Sequence, residues 1–164
     1  MPIAFRRAIP VLLLLTLAAA QAAPGILGAD EVKKLVPATY FFAGQSAPVQ
    51  VRNSAGLRTA SGKLVLAGMV DTSGYAADIA TKYQGFFITE TKLFIDGHSL
   101  PPGEYGFGFS QGKFRILDVA ASDLIVVDYK TDSELHRPVP LQMTKDGDAT
   151  RLYAGRNWLR FQPE

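Results

Sequence analysis

The chain has 164 residues, no cysteine, and a formal charge of +2 from 17 Lys+Arg against 15 Asp+Glu. Without cysteine there is no thiol catalysis, thiolate zinc site, iron–sulfur cluster or disulfide, so an exported form must rely on its hydrophobic core. So small a cationic excess gives no electrostatic basis for binding nucleic acid.

The first 22 residues read as a cleaved signal peptide. Arg6-Arg7 precede an apolar run, Ala8–Ala20, and Ala20-Gln21-Ala22 is an A-x-A cleavage site. The run of 13 residues is shorter than the roughly 20 needed to span a bilayer, so no transmembrane anchor is expected after cleavage. Paired arginines also occur in the twin-arginine route, but ordinary secretion is the simpler reading. Removing 22 of 164 residues leaves 142, enough for one domain over 23–164. The two arginines leave with the signal, so the mature chain carries near-zero net charge. An exported protein, periplasmic or extracellular, follows.

The mature chain opens with a flexible lead-in, Pro24–Ala29. A short helix follows, capped by Asp30, with Val32, Leu35 and Val36 on one face and Pro37 as its stop. The pattern then changes to strands. Ala38–Phe42 is aromatic, Gly44–Pro48 reads as a loop, and Val49–Arg52 alternates apolar and polar residues. Asn53-Ser54-Ala55-Gly56 has the composition of a turn. Lys63–Val70 is almost continuously apolar, which predicts a strand buried on both faces. Asp71-Thr72-Ser73-Gly74 ends it, and Tyr75–Tyr83 shows helical spacing of its apolar residues.

Strands are predicted over 85–90, 92–96, 104–110, 113–119, 124–130 and 139–144, with a last one at 151–153 or 158–161. Turn residues recur between them every 8–12 positions. In Glu104–Ser110, Tyr105, Phe107 and Phe109 alternate with Gly106 and Gly108. The aromatics share one face, and the glycines admit a close neighbour on the other, usually backbone or a barrel bend. The fold expected is all-β, a predominantly antiparallel β-sandwich with one or two short helices near its start. A small closed β-barrel is the alternative.

Several catalytic patterns dissolve on inspection. Gly108-Phe109-Ser110-Gln111-Gly112 matches the G-x-S-x-G elbow, with Asp128 and His136 downstream, but Lys113–Leu117 alternates like a strand where the elbow needs a helix. A hairpin tip explains it. Asp71-Thr72-Ser73-Gly74 evokes an aspartic-protease loop with one residue too many and no second copy, and an Asx turn suffices. Asp96, His98, Glu104 and His136 could form a metal site only if His136 folded back, and Asp96–Ser99 reads better as a hairpin turn. No dinucleotide or phosphate-cradling motif is present, and no cofactor or metal is implied.

Three stretches carry a resemblance: Tyr40–Ser54, Lys82–Glu90 and Leu100–Phe109. Over most of the mature chain they resemble a group of small exported bacterial proteins of unknown function, which implies no activity. Leu100-Pro101-Pro102-Gly103-Glu104-Tyr105 is similar to the L-x-P-G-x-Y turn of transthyretin-like and carboxypeptidase-regulatory-like sandwiches, here with the proline doubled. That likeness implies a sandwich.

The functional expectation is an exported, non-catalytic binding or accessory module for a small molecule, glycan or envelope protein. Its expected ligand-binding residues are Asp71, Tyr75, Tyr83, Phe86 and Tyr105, from the loop cluster 71–87 and strand 103–109. Two alternatives stand beside it. One is a small hydrolase using Asp71, or Ser110 with His136. The other is a structural component of an envelope assembly that docks through an exposed strand edge.

Overall fold

A computed structural model describes residues 22–164. The proposed signal segment, up to Gln21, lies outside them. Two antiparallel sheets pack face to face as a β-sandwich with two short helices, and no closed barrel forms. Among the described residues no helix is long and apolar enough to cross a membrane.

The first sheet contains β1 (Gly25–Ile26), β2 (Thr39–Phe42), β3 (Gln45–Arg58), β4 (Leu64–Val70), β5 (Gly85–Thr89), β8 (Gly103–Ser110), β9 (Lys113–Leu117) and β10 (Asp123–Asp128). Its order is β1-β3-β4-β5-β8-β9-β10, with β2 paired to β3. The second contains β6 (Leu93–Ile95), β7 (His98–Leu100), β11 (Lys130–Thr131), β12 (Gln142–Asp146), β13 (Ala149–Ala154) and β14 (Asn157–Pro163), ordered β12-β13-β14-β6-β7 with β11 also on β14. Helices α1 (Ala29–Leu35) and α2 (Ala77–Lys82) contribute to a layer on the far side of the first sheet.

The first sheet is therefore covered on both faces. On one, Val65, Ala67, Phe87, Phe107, Phe109, Phe114 and Ile116 meet Leu152, Leu159 and Phe161 of the second sheet. Phe87 and Phe161 make an edge-to-face pair across the layers at 5.8 Å. On the other face, Leu66, Val70, Phe86 and Leu117 pack with Val32, Val36, Tyr40, Phe42, Tyr75 and Tyr83. The apolar run 63–70 is thus a strand buried on both sides, as its lack of alternation predicts.

Strand β8 makes this double burial work. Its aromatics face the second sheet, and its glycines face the helices. A Cβ on Gly106 would stand 2.5 Å from Phe42 Cε2, and one on Gly108 would overlap the Lys82 carbonyl at the end of α2. Lys82 also secures that end, donating from Nζ to the Ala121 carbonyl at 2.6 Å.

Several local expectations are corrected. The lead-in contains β1, whose Gly25 and Ile26 pair with Arg58 and Leu57. Gly28 is the N-cap of α1, and Asp30 sits in the first turn, where its charge suits the helix dipole. Leu35 is exposed while Val32 and Val36 are buried. The β2–β3 turn is Ala43-Gly44, so 45–48 begin β3 and are not a loop. Asn53–Gly56 lies inside β3. Between Val49↔Val70 and Ser54↔Gly68 the strand bulges, and Asn53 Nδ2 donates to Gln50 Oε1 at 2.7 Å within the bulge. Gly56 serves close packing, since a Cβ there would lie 2.8 Å from Leu27 Cδ1 and 2.9 Å from Leu66 Cδ2. The final segments, 151–153 and 158–161, are both strands.

Replacing Gly108 with Ala drives a methyl into the Lys82 carbonyl. A loss of about 1–3 kcal/mol in urea unfolding is expected, with the loss concentrated in the α2 side of the molecule by hydrogen exchange. Unchanged stability would show that α2 does not rest on β8.

Candidate functional site

Of the five residues proposed from sequence, three come together. Tyr75, Tyr83 and Phe86 meet Tyr40 and Phe42 between α2 and the first sheet. Phe42 and Tyr83 stack at 3.8 Å with planes 14° apart, Tyr75 stands edge-on to Tyr83 at 5.2 Å, and Tyr40 stacks on Phe86 at 5.3 Å. Tyr83 and Phe86 are fully buried. These rings use their faces on one another. Tyr105 points to the opposite side of β8, where its hydroxyl donates to the Pro101 carbonyl at 2.9 Å. Asp71 is exposed in an Asx turn, accepting from the Ser73 N–H at 3.0 Å, and that bond lowers its carboxyl pKa.

Burial, and secondarily the phenols of Tyr75 and Tyr40, pushes the Tyr83 hydroxyl well above the usual tyrosine range. Tyr75 donates its own hydroxyl to the Gln45 carbonyl at 3.4 Å, and the Tyr83 hydroxyl, directed at the Tyr75 hydroxyl, makes no hydrogen bond of good geometry.

The hydrolase residues occupy separate elements. Ser110 is the last residue of β8, paired with Lys113 across the two-residue turn Gln111-Gly112. Both turn residues have positive φ, 53° and 76°, the requirement of a type I′ hairpin. A strand follows Ser110, and its Oγ lies 3.4 Å from Arg115 Nη1. Asp96-Gly97 forms the matching turn of the β6–β7 hairpin, with His98 exposed in β7. His136 is exposed in the segment between β11 and β12. Among the described residues no three His, Asp or Glu side chains approach closely enough to share a metal ion.

A different place offers room and free polar groups. Strand β14 pairs with β13 along one edge. Along the other it pairs first with β11, at Asn157 and Trp158, and then with β6, at Phe161–Pro163. Leu159 and Arg160 have no strand beside them on that edge. The two-residue turn Gly155-Arg156 makes Ala154–Asn157 a hydrogen-bonded closing pair, so even-numbered residues of β14 aim their amides away from β13. Two bonds follow this parity: Asp132 N–H to the Arg156 carbonyl, and Glu164 N–H to the Lys92 carbonyl. The Arg160 N–H therefore points into the gap between β6 and β11.

Around this notch lies a cleft of about 470 Å³, lined by Phe94, Asp96, Asp128, Lys130, Trp158 and Gln162 with the β14 residues between. Phe94, Trp158, Arg160 and Gln162 all project from the outer face of the second sheet. Trp158 is flanked by Arg151, 4.2 Å from the ring centroid, and by Lys130 at 5.2 Å. Asp146 holds Arg151 at 3.0 Å and Arg160 at 3.3 Å, which fixes this face. Asp128 pairs with Lys113 at 2.6 Å. Nothing in the alternation of 157–163 marks the gap, because it arises from three strands distant in sequence.

Tyr83→Phe is expected to leave stability unchanged or raise it by about 1 kcal/mol, since an unpaired buried hydroxyl is removed. It also removes part of the alkaline sensitivity. With its pKa raised by folding, the phenol favours the fold fully below its unfolded value of 10.0, and that contribution drains away as pH climbs above it. Urea melts from pH 8 upward measure both effects. A fluorophosphonate probe is expected to leave Ser110 unmodified by mass spectrometry, and labelling there would restore the hydrolase reading. Comparison with protein-family models, with curated proteins and with solved structures finds no match for this chain.

Proposed function

We propose that this protein is an exported, non-catalytic binding module whose ligand occupies the notch beside β14. Export rests on the sequence of the first 22 residues. The binding role rests on the interrupted sheet edge. A main-chain donor in mid-strand ordinarily has a partner, and here the Arg160 N–H faces a cleft carrying aromatic surface and polar side chains. The cleft's size falls within the range of small-ligand pockets, about 300–1,000 Å³. The aromatic cluster named from sequence supports this role less well, because its rings are stacked on each other.

A second reading, assembly into an envelope structure through a strand edge, is favoured by β10. That strand ends the first sheet and exposes Leu124 and Val126. The register shift at Leu124 breaks the regular edge to Ile125–Asp128, and bulges of this kind blunt edge pairing.

Trp158 is the single tryptophan of the chain, so its fluorescence reports on the notch directly. A fragment screen by amide NMR is expected to give saturable shifts clustered on Lys130, Trp158, Arg160 and Gln162. Trp158→Ala is expected to abolish them at a cost of about 1–3 kcal/mol in stability, since the side chain is partly buried against Arg151, Lys130 and Tyr153. Hits clustered elsewhere, or a chain that light scattering shows to self-associate through β10, would overturn the assignment.

A further inference from the structure

Building on the reading of the notch as a ligand site, we propose that its ligand is a neutral sugar, a mono- or disaccharide unit of a glycan. Three features of the cleft lead there.

The first is the length of the gap. Only Leu159 and Arg160 lack a neighbour, with β11 closing one end at Trp158 and β6 the other at Phe161. An extended peptide adds to a sheet through several consecutive main-chain pairs. Between β11 and β6 it finds one inward-facing amide and then collides with a strand on each side. A compact ligand fits where a strand does not.

The second is charge. The lining carries two carboxylates, Asp96 and Asp128, and two cations, Lys130 and Arg160. Asp128 is engaged by Lys113, and Arg160 by Asp146. That leaves Asp96 as an acceptor and Lys130 as a donor, neither in an ion pair among the described residues, with the Gln162 amide offering both. An anionic ligand meets Asp96, and a cationic one meets Lys130. A hydroxyl group donates to the first and accepts from the second, and it accepts equally from the Arg160 N–H.

The third is the apolar wall. Phe94 is 43% exposed beside Gln162, with Lys92 Nζ 5.5 Å from its ring centroid. Trp158 lies at the other end of the gap with Lys130 and Arg151 against it, so the wall consists of the ring surface those cations leave uncovered. The C–H face of a pyranose supplies the matching apolar surface, while its hydroxyl edge faces the polar groups. A simple anion, or a peptide terminus with its single charge, uses only half of this lining.

The test titrates the mature chain with three probe classes: neutral oligosaccharides (malto-, cello- and N-acetylchito-oligomers), citrate, and trialanine. Trp158 fluorescence and amide NMR are the readouts. At least one neutral oligosaccharide is expected to bind saturably with a Kd of about 1 mM or tighter. The shifts are expected to centre on the Arg160 amide. Affinity is expected to hold within about twofold when salt is raised, because a neutral ligand leaves no charge to screen. Asp96→Asn, which keeps a residue tolerant of the turn's positive φ, is expected to weaken binding about tenfold by removing a charge-assisted bond. Gln162→Ala, outside the turn, is expected to weaken it as well. Saturable binding of citrate or trialanine at the notch without any sugar overturns the sugar assignment and leaves the ligand site standing. Absence of binding by every oligosaccharide overturns the assignment too, and sugar-induced shifts away from β14 overturn both readings.

Discussion

The sheet formed by β1–β5 and β8–β10 must be dry on both faces, and β8 is the strand on which that requirement falls hardest. Its alternation of aromatic and glycine residues gives one face bulk and the other nothing. Toward the second sheet, Phe107 and Phe109 fill the space beside Phe114 and Tyr129. Fully burying a phenylalanine contributes about 1.5–3 kcal/mol. Toward the helices, the absent side chains let Phe42, Tyr83 and the Lys82 carbonyl reach the strand's own backbone. A β-sandwich with one wet face on each sheet needs no such strand. The third layer, made of α1, α2 and the β2–β3 hairpin, exists because β8 has room for it.

That third layer consumes the aromatic side chains that first suggest a binding platform. A ring recognises a flat ligand only with a free face, and Phe42, Tyr83, Tyr40 and Phe86 have given theirs to each other. The unpartnered Tyr83 hydroxyl is the cost of making this layer from tyrosine rather than phenylalanine alone. Polar side chains outside any ion pair among the described residues, Asp96 and Lys130, instead line the cleft at the outer face of the second sheet. There the chain presents Trp158 between two cations, with Asp146 bracing both Arg151 and Arg160. The proposed binding chemistry is thus separated from the packing that holds the sandwich together.

Much of this architecture is legible in the residues, and the failures have a common cause. The doubly buried strand at 64–70, the hairpin at Gln111-Gly112, the Asx turn at Asp71 and the close approach at Gly106 and Gly108 all follow from local chemistry. Asn53–Gly56 misleads because turn-type residues serve two other purposes there. Asn53 satisfies a bulge, and Gly56 yields space to Leu27 and Leu66, neither of which is near in sequence. The strand at Gly25–Ile26 is invisible for the same reason, since two residues acquire strand character only from Leu57 and Arg58. Of the candidate site, composition exposes Trp158 and Asp96 only as a strand residue and a turn residue. Their juxtaposition depends on β6, β11 and β14 meeting, a fact of long-range pairing that no window of residues contains.

The gap beside Leu159 and Arg160 is a consequence of topology rather than of an adjustable loop. Strand β10 belongs to the first sheet and β11 to the second, with a single residue, Tyr129, between them. Tyr129 is partly buried against Phe109, so the crossing is fixed at that residue. The chain can join β14 no earlier than Lys130, opposite Trp158, because everything before it is hydrogen-bonded to β9. From the other end, β6 leaves β14 after Ile95 because Asp96 and Gly97, both at positive φ, reverse the chain into β7. Neither element can lengthen to close the ladder without breaking other pairs, β10–β9 of the first sheet or β6–β7 of the second. The Arg160 amide is held open by the same connections that build the sandwich, so the proposed site is preorganised by the fold and calls for no ordering of a flexible segment.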